Sequence, residues 1–238
     1  MLYSTHAKLG SVGLSKEGFK TMSSSVTATP WRIVSSRATF KDQWISIRTD
    51  EVVNGCGVLI PDYHVLEYPD WVNVIPVLAD GRVLLAREYR HGVGQVVLGL
   101  ISGGLTVDDA NEPEIAARRE LLEETGHTAD QLQLALTSFP NAASHNNRVF
   151  SFVAQGLSFR TAPVFEVGEA VELTAATPKA LIEAIQSGQV VMQAMHVAAL
   201  YSAQCIGALK PLESTLKRVM EPSSQWPDAL QISQSTAS

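Results

Sequence analysis

The stretch Gly103-Gly104-Leu105-Thr106-Val107-Asp108-Asp109-Ala110-Asn111-Glu112-Pro113-Glu114-Ile115-Ala116-Ala117-Arg118-Arg119-Glu120-Leu121-Leu122-Glu123-Glu124-Thr125-Gly126-His127 decides how this chain is read. A glycine loop runs into an acidic turn, with Pro113 where a helix begins and Gly126 where it ends. Proline suits a first helical turn because its missing N–H has no partner there. Glycine accepts the left-handed exit. The spacing therefore predicts one short helix with three carboxylates in its last turns. At roughly 100° per residue, Glu120, Glu123 and Glu124 fall within a sector about 100° wide, and Ile115 and Leu122 project from the opposite, packing side. Like charges four apart repel by roughly 0.2–0.5 kcal/mol on an open surface. Their grouping makes most sense when a cation joins them. Oxygen-only ligands suit a hard ion, Mg²⁺ or Mn²⁺, and Mg²⁺ is typically held by a few carboxylates plus substrate phosphates. An acidic helix face alone gains or loses little in water, so the surrounding pattern carries the weight.

Arg119-Glu120-Leu121-Leu122-Glu123-Glu124-Thr125-Gly126, after a Gly-rich loop, resembles the Nudix box of the Nudix hydrolases. The family pattern is Gly, five residues, Glu, seven residues, then Arg-Glu-apolar-x-Glu-Glu-x-Gly-apolar. The second half matches residue for residue through Gly126, and His127 stands at the final apolar position. The first half departs. Counting back from Arg119 puts Asn111 at the family's Glu and Leu105 at its Gly. A one-residue insertion between Gly104 and Pro113 restores the glycine, while the family's Glu, a supporting residue, becomes Ala110, Asn111 or Glu112. The resemblance implies that Glu120 and Glu124 are direct metal ligands and that Glu123 serves a second ion or its water. It also implies that the backbone carbonyl of Gly103 adds a main-chain ligand. Arg119 is expected to hold a carboxylate or loop in place through a charge-assisted bond.

The chain has 238 residues, 45% of them hydrophobic, enough for one large domain or one domain with a small appendage. Eighteen basic against 24 acidic residues leave a net charge of −6, with no basic run, which argues against nucleic acid as the partner. Cys56 and Cys205 are too few and too far apart for a zinc site or a disulfide framework. They suit a reducing cytoplasm and read as small buried apolar residues. No stretch is long and apolar enough to cross a membrane, and no signal peptide is visible. Residues 1–30 read as a disordered extension, with Met22 a candidate natural start.

Residues 31–68 read as a small antiparallel sheet, with strands near Trp31–Phe40, Trp44–Val53 and Gly57–Leu66. Ile45 and Ile47 alternate with polar neighbours, and Asn54-Gly55 is a hairpin signal. Such a sheet is too small to bury both faces alone. Residues 69–210 form the main domain. Its strands are expected at Trp71–Leu78, Arg82–Tyr89, Leu132–Phe139, Arg148–Gly156 and Ala170–Ala175, with Val96–Ile101 leading into the glycine loop. Helices are expected at Lys179–Ser187, after the start signal Thr177-Pro178, and at Met192–Leu209. Residues 211–238 form a polar tail.

This order is similar to the ADP-ribose pyrophosphatase branch of the Nudix family over about residues 31–205. The expected fold is α+β, an α/β/α arrangement with a mixed sheet sandwiched by helices and a small N-terminal antiparallel sheet. Asp80–Arg90 looks like the branch's strand ending in an aromatic-Arg pair. Pro140–Val149 looks like its strand-connecting loop, with Asn146 and Asn147 where a Glu often stands. Arg90, and on the same strand Arg87, are candidates for the substrate phosphates, the planar guanidinium fork suiting that role. Glu169 and Glu166 are candidates for the base that activates water. Trp31, Trp44 and Trp71 are candidates to stack on a nucleobase, and His145 to sit at the pocket mouth. The implied function is metal-dependent hydrolysis of the pyrophosphate in a nucleoside diphosphate linked to another group, best ADP-ribose to AMP and ribose 5-phosphate. Other nucleotide sugars, dinucleotides or nucleotides are alternatives, as is a Nudix-like ligand-binding regulator that has lost catalysis. The branch also implies a homodimer, with the N-terminal sheet exchanged or shared and the partner subunit completing the base pocket.

Overall fold

The computed structural model describes residues 29–109, 112–165 and 170–209. The expected extension up to residue 28, the tail from residue 210, and the candidates Glu166 and Glu169 lie outside these. The chain divides into two compact units between Val65 and Leu66.

In the first unit β1 (Arg32–Lys41), β2 (Ser46–Val53) and β3 (Leu59–Glu67) form one sheet in that order. The hairpin signal at Asn54-Gly55 becomes a longer loop. Asn54 accepts N–H bonds from Cys56 and Val58 on its side-chain oxygen, and the left-handed residue is Gly57, at φ 80°. Every residue of β1 is exposed. Trp31 stacks edge-on against Tyr63, with ring centroids 5.7 Å apart.

The second unit contains two sheets and three helices. A four-stranded mixed sheet has the order β7 (Ile101–Gly104), β4 (Trp71–Pro76), β9 (Val149–Phe159), β8 (His127–Ser138), with β4 parallel to β9. A three-stranded antiparallel sheet has the order β10 (Val171–Ala176), β5 (Val83–Arg90), β6 (Gln95–Gly99). Strand alternation sends successive side chains to opposite faces, and the core follows it. Val72 and Val74 of β4, with Phe152 and Ala154 of β9, pack on Ala116, Ala117 and Leu121 of α1 (Pro113–Thr125). Ile75 and Val153 pack the other way, against Leu181 of α2 (Pro178–Gln186) and Ala199, Leu200 and Ala203 of α3 (Ala194–Cys205). The mixed sheet is thus sandwiched between α1 and the α2–α3 pair, the expected α/β/α arrangement.

The stretch Val96–Ile101, which leads into the glycine loop, is shared between two strands in two sheets. The chain changes sheet at Leu100, whose N–H donates to Nδ1 of His196 at 3.3 Å rather than to a ladder. Gly99 allows the crossing, since a Cβ there would lie 3.2 Å from Cε1 of His196. His196 is fully buried, and burial, reinforced by the charge of Arg90, pushes its imidazole down to about 3. The neutral ring is therefore the native form. Its stabilising contribution is complete above the unfolded value of 6.5. As pH falls below that, the unfolded chain takes up a proton that the native ring refuses, and up to about 1.4 kcal/mol is lost per pH unit. Thermal unfolding between pH 7 and 4 should show this slope, and His196→Gln should flatten it.

α3 is shorter than expected because its first turn begins only after Gln193 and it ends before Ile206. Both cysteines are exposed, contrary to the buried reading: Cys56 sits in the β2–β3 turn and Cys205 in the last residue of α3, neither facing the core. Among the described residues no helix is long and apolar enough to cross a membrane.

Candidate functional site

α1 starts and ends where its proline and glycine place it. Gly126 closes it at φ 71° and donates its N–H to the Leu122 carbonyl at 2.8 Å. Its faces differ from the helical-wheel expectation. The buried residues are Ala116, Ala117, Glu120, Leu121 and Thr125, while Ile115 is 44% exposed. The small side chains of Ala116 and Ala117 let the helix settle on the sheet with the Glu120 side inward. Ile115 is left on the solvent side. One carboxylate of the acidic group is thus on the packing face, and the acidic and buried faces overlap.

What Glu120 meets is Gly103, a position of β7 without a side chain. A Cβ on Gly103 would lie 1.9 Å from Oε1 and 2.1 Å from Cδ of Glu120. The carboxylate therefore occupies the space that any other residue at 103 would fill. Beside it, the Ser102 N–H lies 3.4 Å from Oε1 of Glu124. Gly103→Ala should displace the Glu120 carboxylate and abolish turnover, with thermal unfolding remaining cooperative. Activity and melting measured on the same preparation check this.

Arg119 joins the helix to the loop before it. Its guanidinium donates to Glu120 Oε1 at 2.8 Å, Glu123 Oε2 at 3.1 Å and the Gly104 carbonyl at 3.0 Å. Two further bonds go to Asp109, at 3.3 Å from Nε and 3.0 Å from the other end of the fork. Asp109 is 2% exposed and also accepts from the N–H and hydroxyl of Thr106, at 2.6 and 3.0 Å. Burial opposes its charge, but the bonds from Arg119 and Thr106 prevail and hold its carboxyl below the ordinary range. The same bond, foremost, raises the Arg119 guanidinium above its own ordinary value, with Glu120 and Glu123 adding to it.

Asp109 is not among the sequence candidates. Counting places the box's missing carboxylate at Ala110, Asn111 or Glu112. The first two lie outside the described residues, and Glu112 is exposed and makes no side-chain cap bond to the helix. The signal that points to Asp109 is chemical: an arginine bound for a half-buried position needs a carboxylate, and Asp109 is one of the few acids between Gly104 and Pro113.

Two cavities share the floor Ser102–Gly104. One, of about 310 Å³, is walled by Arg119, Glu120, Glu123 and Glu124 and by Val164 and Phe165. The other, of about 190 Å³, is walled by Trp71, Arg90, Gln193 and Met195. Among the described sequence candidates, Gly103 alone thus lines both. Arg90 pairs with Glu88 and remains 44% exposed at its side chain. Arg87 lines neither cavity and pairs with Glu172 of β10 at 2.7 Å. Three positions apart on an unbulged strand, the two arginines point to opposite faces. Val164 donates its N–H to the Glu123 carbonyl at 2.7 Å, so the chain is tied to the end of α1 just before residues 166–169. Trp31 and Trp44 lie in the first unit and are exposed. His145 packs on Tyr68 and Trp71, and Nδ1 of its ring is buried without a hydrogen-bond partner. Asn146 and Asn147 tie their loop to the backbone of Tyr68 and Pro69.

Among the described residues no three acidic, histidine or cysteine side chains close around a common point. The carboxylates instead form an open, oxygen-only wall above a glycine cradle. That arrangement fits a hard divalent cation, which keeps waters and takes substrate oxygens as remaining ligands.

An α/β/α sandwich in which an acidic helix lies over a glycine strand is the frame of a NUDIX domain. A NUDIX domain model matches residues 68–187, half of the chain, and the chain belongs to that family. It is 28% identical over 95 residues to the ADP-ribose pyrophosphatase of Bacillus subtilis (strain 168), covering 40% of this chain and 50% of that protein. It is 24% identical over 95 residues to the methanol dehydrogenase activator of Bacillus methanolicus, with the same coverage. The chain therefore spans about half the length of the curated relatives it matches. A crystal structure of an ADP compounds hydrolase superposes with a TM-score of 0.65 at 21% identity, over 78% of this chain and 99% of that one, a likeness of fold.

Proposed function

We propose that this protein is a Nudix hydrolase that cleaves the pyrophosphate of a nucleoside diphosphate linked to another group, with ADP-ribose, giving AMP and ribose 5-phosphate, as its substrate. The observation that carries the reading is the shared floor: Glu120 seated over Gly103, with Glu124 beside it, faces one cavity, and Arg90 faces the other. The names of the relatives, an ADP-ribose pyrophosphatase and an ADP compounds hydrolase, support the substrate class.

In this reading Glu120, Glu124 and the Gly103 carbonyl hold a divalent cation, Mg²⁺ with Mn²⁺ as the alternative, and Glu123 stands at the exposed rim for a second. The cation supplies neutralisation of the diphosphate charge and makes water a better nucleophile. The residues supply the rest. Arg90 holds non-bridging phosphate oxygens through its fork. Arg87, tied to Glu172, is a second cation on the same strand. Arg119 keeps Glu120 and Glu123 in place. Water adds to one phosphorus, the bridging P–O bond breaks towards the other phosphate, and the water's proton passes to Glu169 or Glu166. The anchoring of Val164 on α1 and the place of Phe165 in the carboxylate cavity support a base from that segment. The reading includes a cytoplasmic homodimer, supported by the complete exposure of β1. Light scattering checks the dimer.

Product analysis with ADP-ribose, beside nucleotide sugars, dinucleotides and free nucleotides, tests the function. AMP and ribose 5-phosphate, formed only with added metal, support it. Turnover of another panel member moves the substrate and keeps the reaction. Tight ADP-ribose binding without turnover of anything overturns the hydrolase in favour of a ligand-binding regulator. The motive for that alternative is the altered first half of the box, and the pairing of Asp109 with Arg119 weakens it.

A further inference from the structure

Resting on the hydrolase reading, we propose that the cavity beside Trp71 is a nucleobase subsite built within one chain, with Trp71 as its stacking surface and Gln193 as the group that reads the base edge. Trp71 opens β4 and stands opposite Gly104 in the β4–β7 register. A Cβ on Gly104 would lie 3.9 Å from Cδ1 of the indole, so glycine leaves the ring and the floor in front of it uncovered. Two other rings set the indole's orientation. Tyr68 packs on it at a centroid distance of 5.4 Å, and His145 meets it edge-on at 6.3 Å and 86°. Tyr68 and His145 also pack on each other at 5.3 Å. A ring braced in this way loses little freedom when a ligand stacks on it, which favours binding.

The remaining walls suit a base. Met195 offers a polarizable apolar surface, and Gln193 a neutral amide with a donor and an acceptor side by side. That pair matches the adjacent donor and acceptor of an adenine edge. A sugar would need partners for several hydroxyl groups, and among the side chains lining this cavity the neutral hydrogen-bonding groups are Ser102, Gln193 and the single indole N–H of Trp71. Arg90 lines the same cavity, and Ser102–Gly104 continues beneath the carboxylates. Three strand residues cover about 10 Å, a span that one nucleotide bridges from phosphate to base. The phosphates then lie towards the acidic helix and the base on Trp71. This differs from the family-derived expectation that a partner subunit completes the base pocket. Here β4, β7 and the start of α3, with Gln193 just before it, furnish it from a single chain.

The test compares AMP and ribose 5-phosphate as metal-free ligands by calorimetry, and as inhibitors of turnover, in wild type, Trp71→Leu, Trp71→Phe and Gln193→Glu. Trp71→Leu should raise the Kd for AMP about tenfold or more, leave that for ribose 5-phosphate within twofold, and place the catalytic loss mainly on KM. Trp71→Phe, which keeps a stacking face, should recover most of the affinity. Gln193→Glu replaces the donor with a second acceptor, so preference should move from adenine towards guanine diphosphate sugars, whose edge offers two donors. AMP affinity unchanged in folded Trp71→Leu and Gln193→Glu overturns the subsite, and so does a loss that falls on ribose 5-phosphate. Should wild type hydrolyse nothing yet bind AMP through Trp71, the subsite stands and the hydrolase reading fails. A wild type that hydrolyses the panel but is insensitive to Trp71 and Gln193 keeps the hydrolase reading and overturns the subsite.

Discussion

Glu124→Gln is expected to lower kcat by about a hundredfold to a thousandfold, in line with removal of a group that stabilises developing charge, while the protein stays folded. The substitution is isosteric and removes one negative charge. The bond that Glu124 accepts from the Ser102 N–H is one a glutamine oxygen also accepts. Stability should therefore move by no more than about 0.5 kcal/mol. The wall of the larger cavity would retain Glu120 and Glu123 but lose the carboxylate that completes the helix turn with Glu120. Turnover, the melting temperature and Mn²⁺ binding measured by electron paramagnetic resonance separate these effects. Near-wild-type turnover would remove the acidic helix from the mechanism.

Asp109→Ala is expected to have the largest effect on stability, about 2 kcal/mol, since it removes a buried carboxylate whose bonds to Arg119 and Thr106 are charge-assisted. Asp109 is 2% exposed, and the guanidinium it pairs with has a side chain only 28% exposed. Without Asp109, the Arg119 fork keeps only Glu120, Glu123 and the Gly104 carbonyl as partners. It should then bind the two carboxylates more closely and compete with a cation for them. Mn²⁺ affinity should fall together with turnover, and Asp109→Glu should restore part of both. The pH dependence has a definite sign. Because the folded carboxyl lies below the ordinary value of 3.8, its contribution is complete above 3.8 and is lost as pH falls through the lower folded value. Wild type and Asp109→Asn should therefore differ most near neutrality and converge in acid. Urea unfolding at pH 7 and below pH 4 measures this.

These two residues differ in how they could be found. Glu124 was legible because a helix repeats every 3.6 residues, so its place beside Glu120 follows from spacing alone. Asp109 was not, because the segment from Leu105 to Glu112 has no period. Which of its acids reaches Arg119 depends on the turn that Thr106 makes with Asp109. Arginines 87 and 90 illustrate an intermediate case. Alternation on a strand separates them, yet only the pairing of β5 with β6 and β10 decides that Arg90 meets a cavity and Arg87 meets Glu172.

By itself the sequence determined the limits of α1, through Pro113 and Gly126, the grouping of three carboxylates on it, and where most strands and helices lie; the α/β/α sandwich was what the family resemblance implied. What the sequence determined is local, carried by backbone preference and side-chain period. Tertiary structure decided that Glu120 turns inward over Gly103, that the chain changes sheet at Leu100, and that Trp71 is braced by Tyr68 and His145. Each of these joins residues distant in the chain, and close packing of the core selects among arrangements that local preference leaves equal.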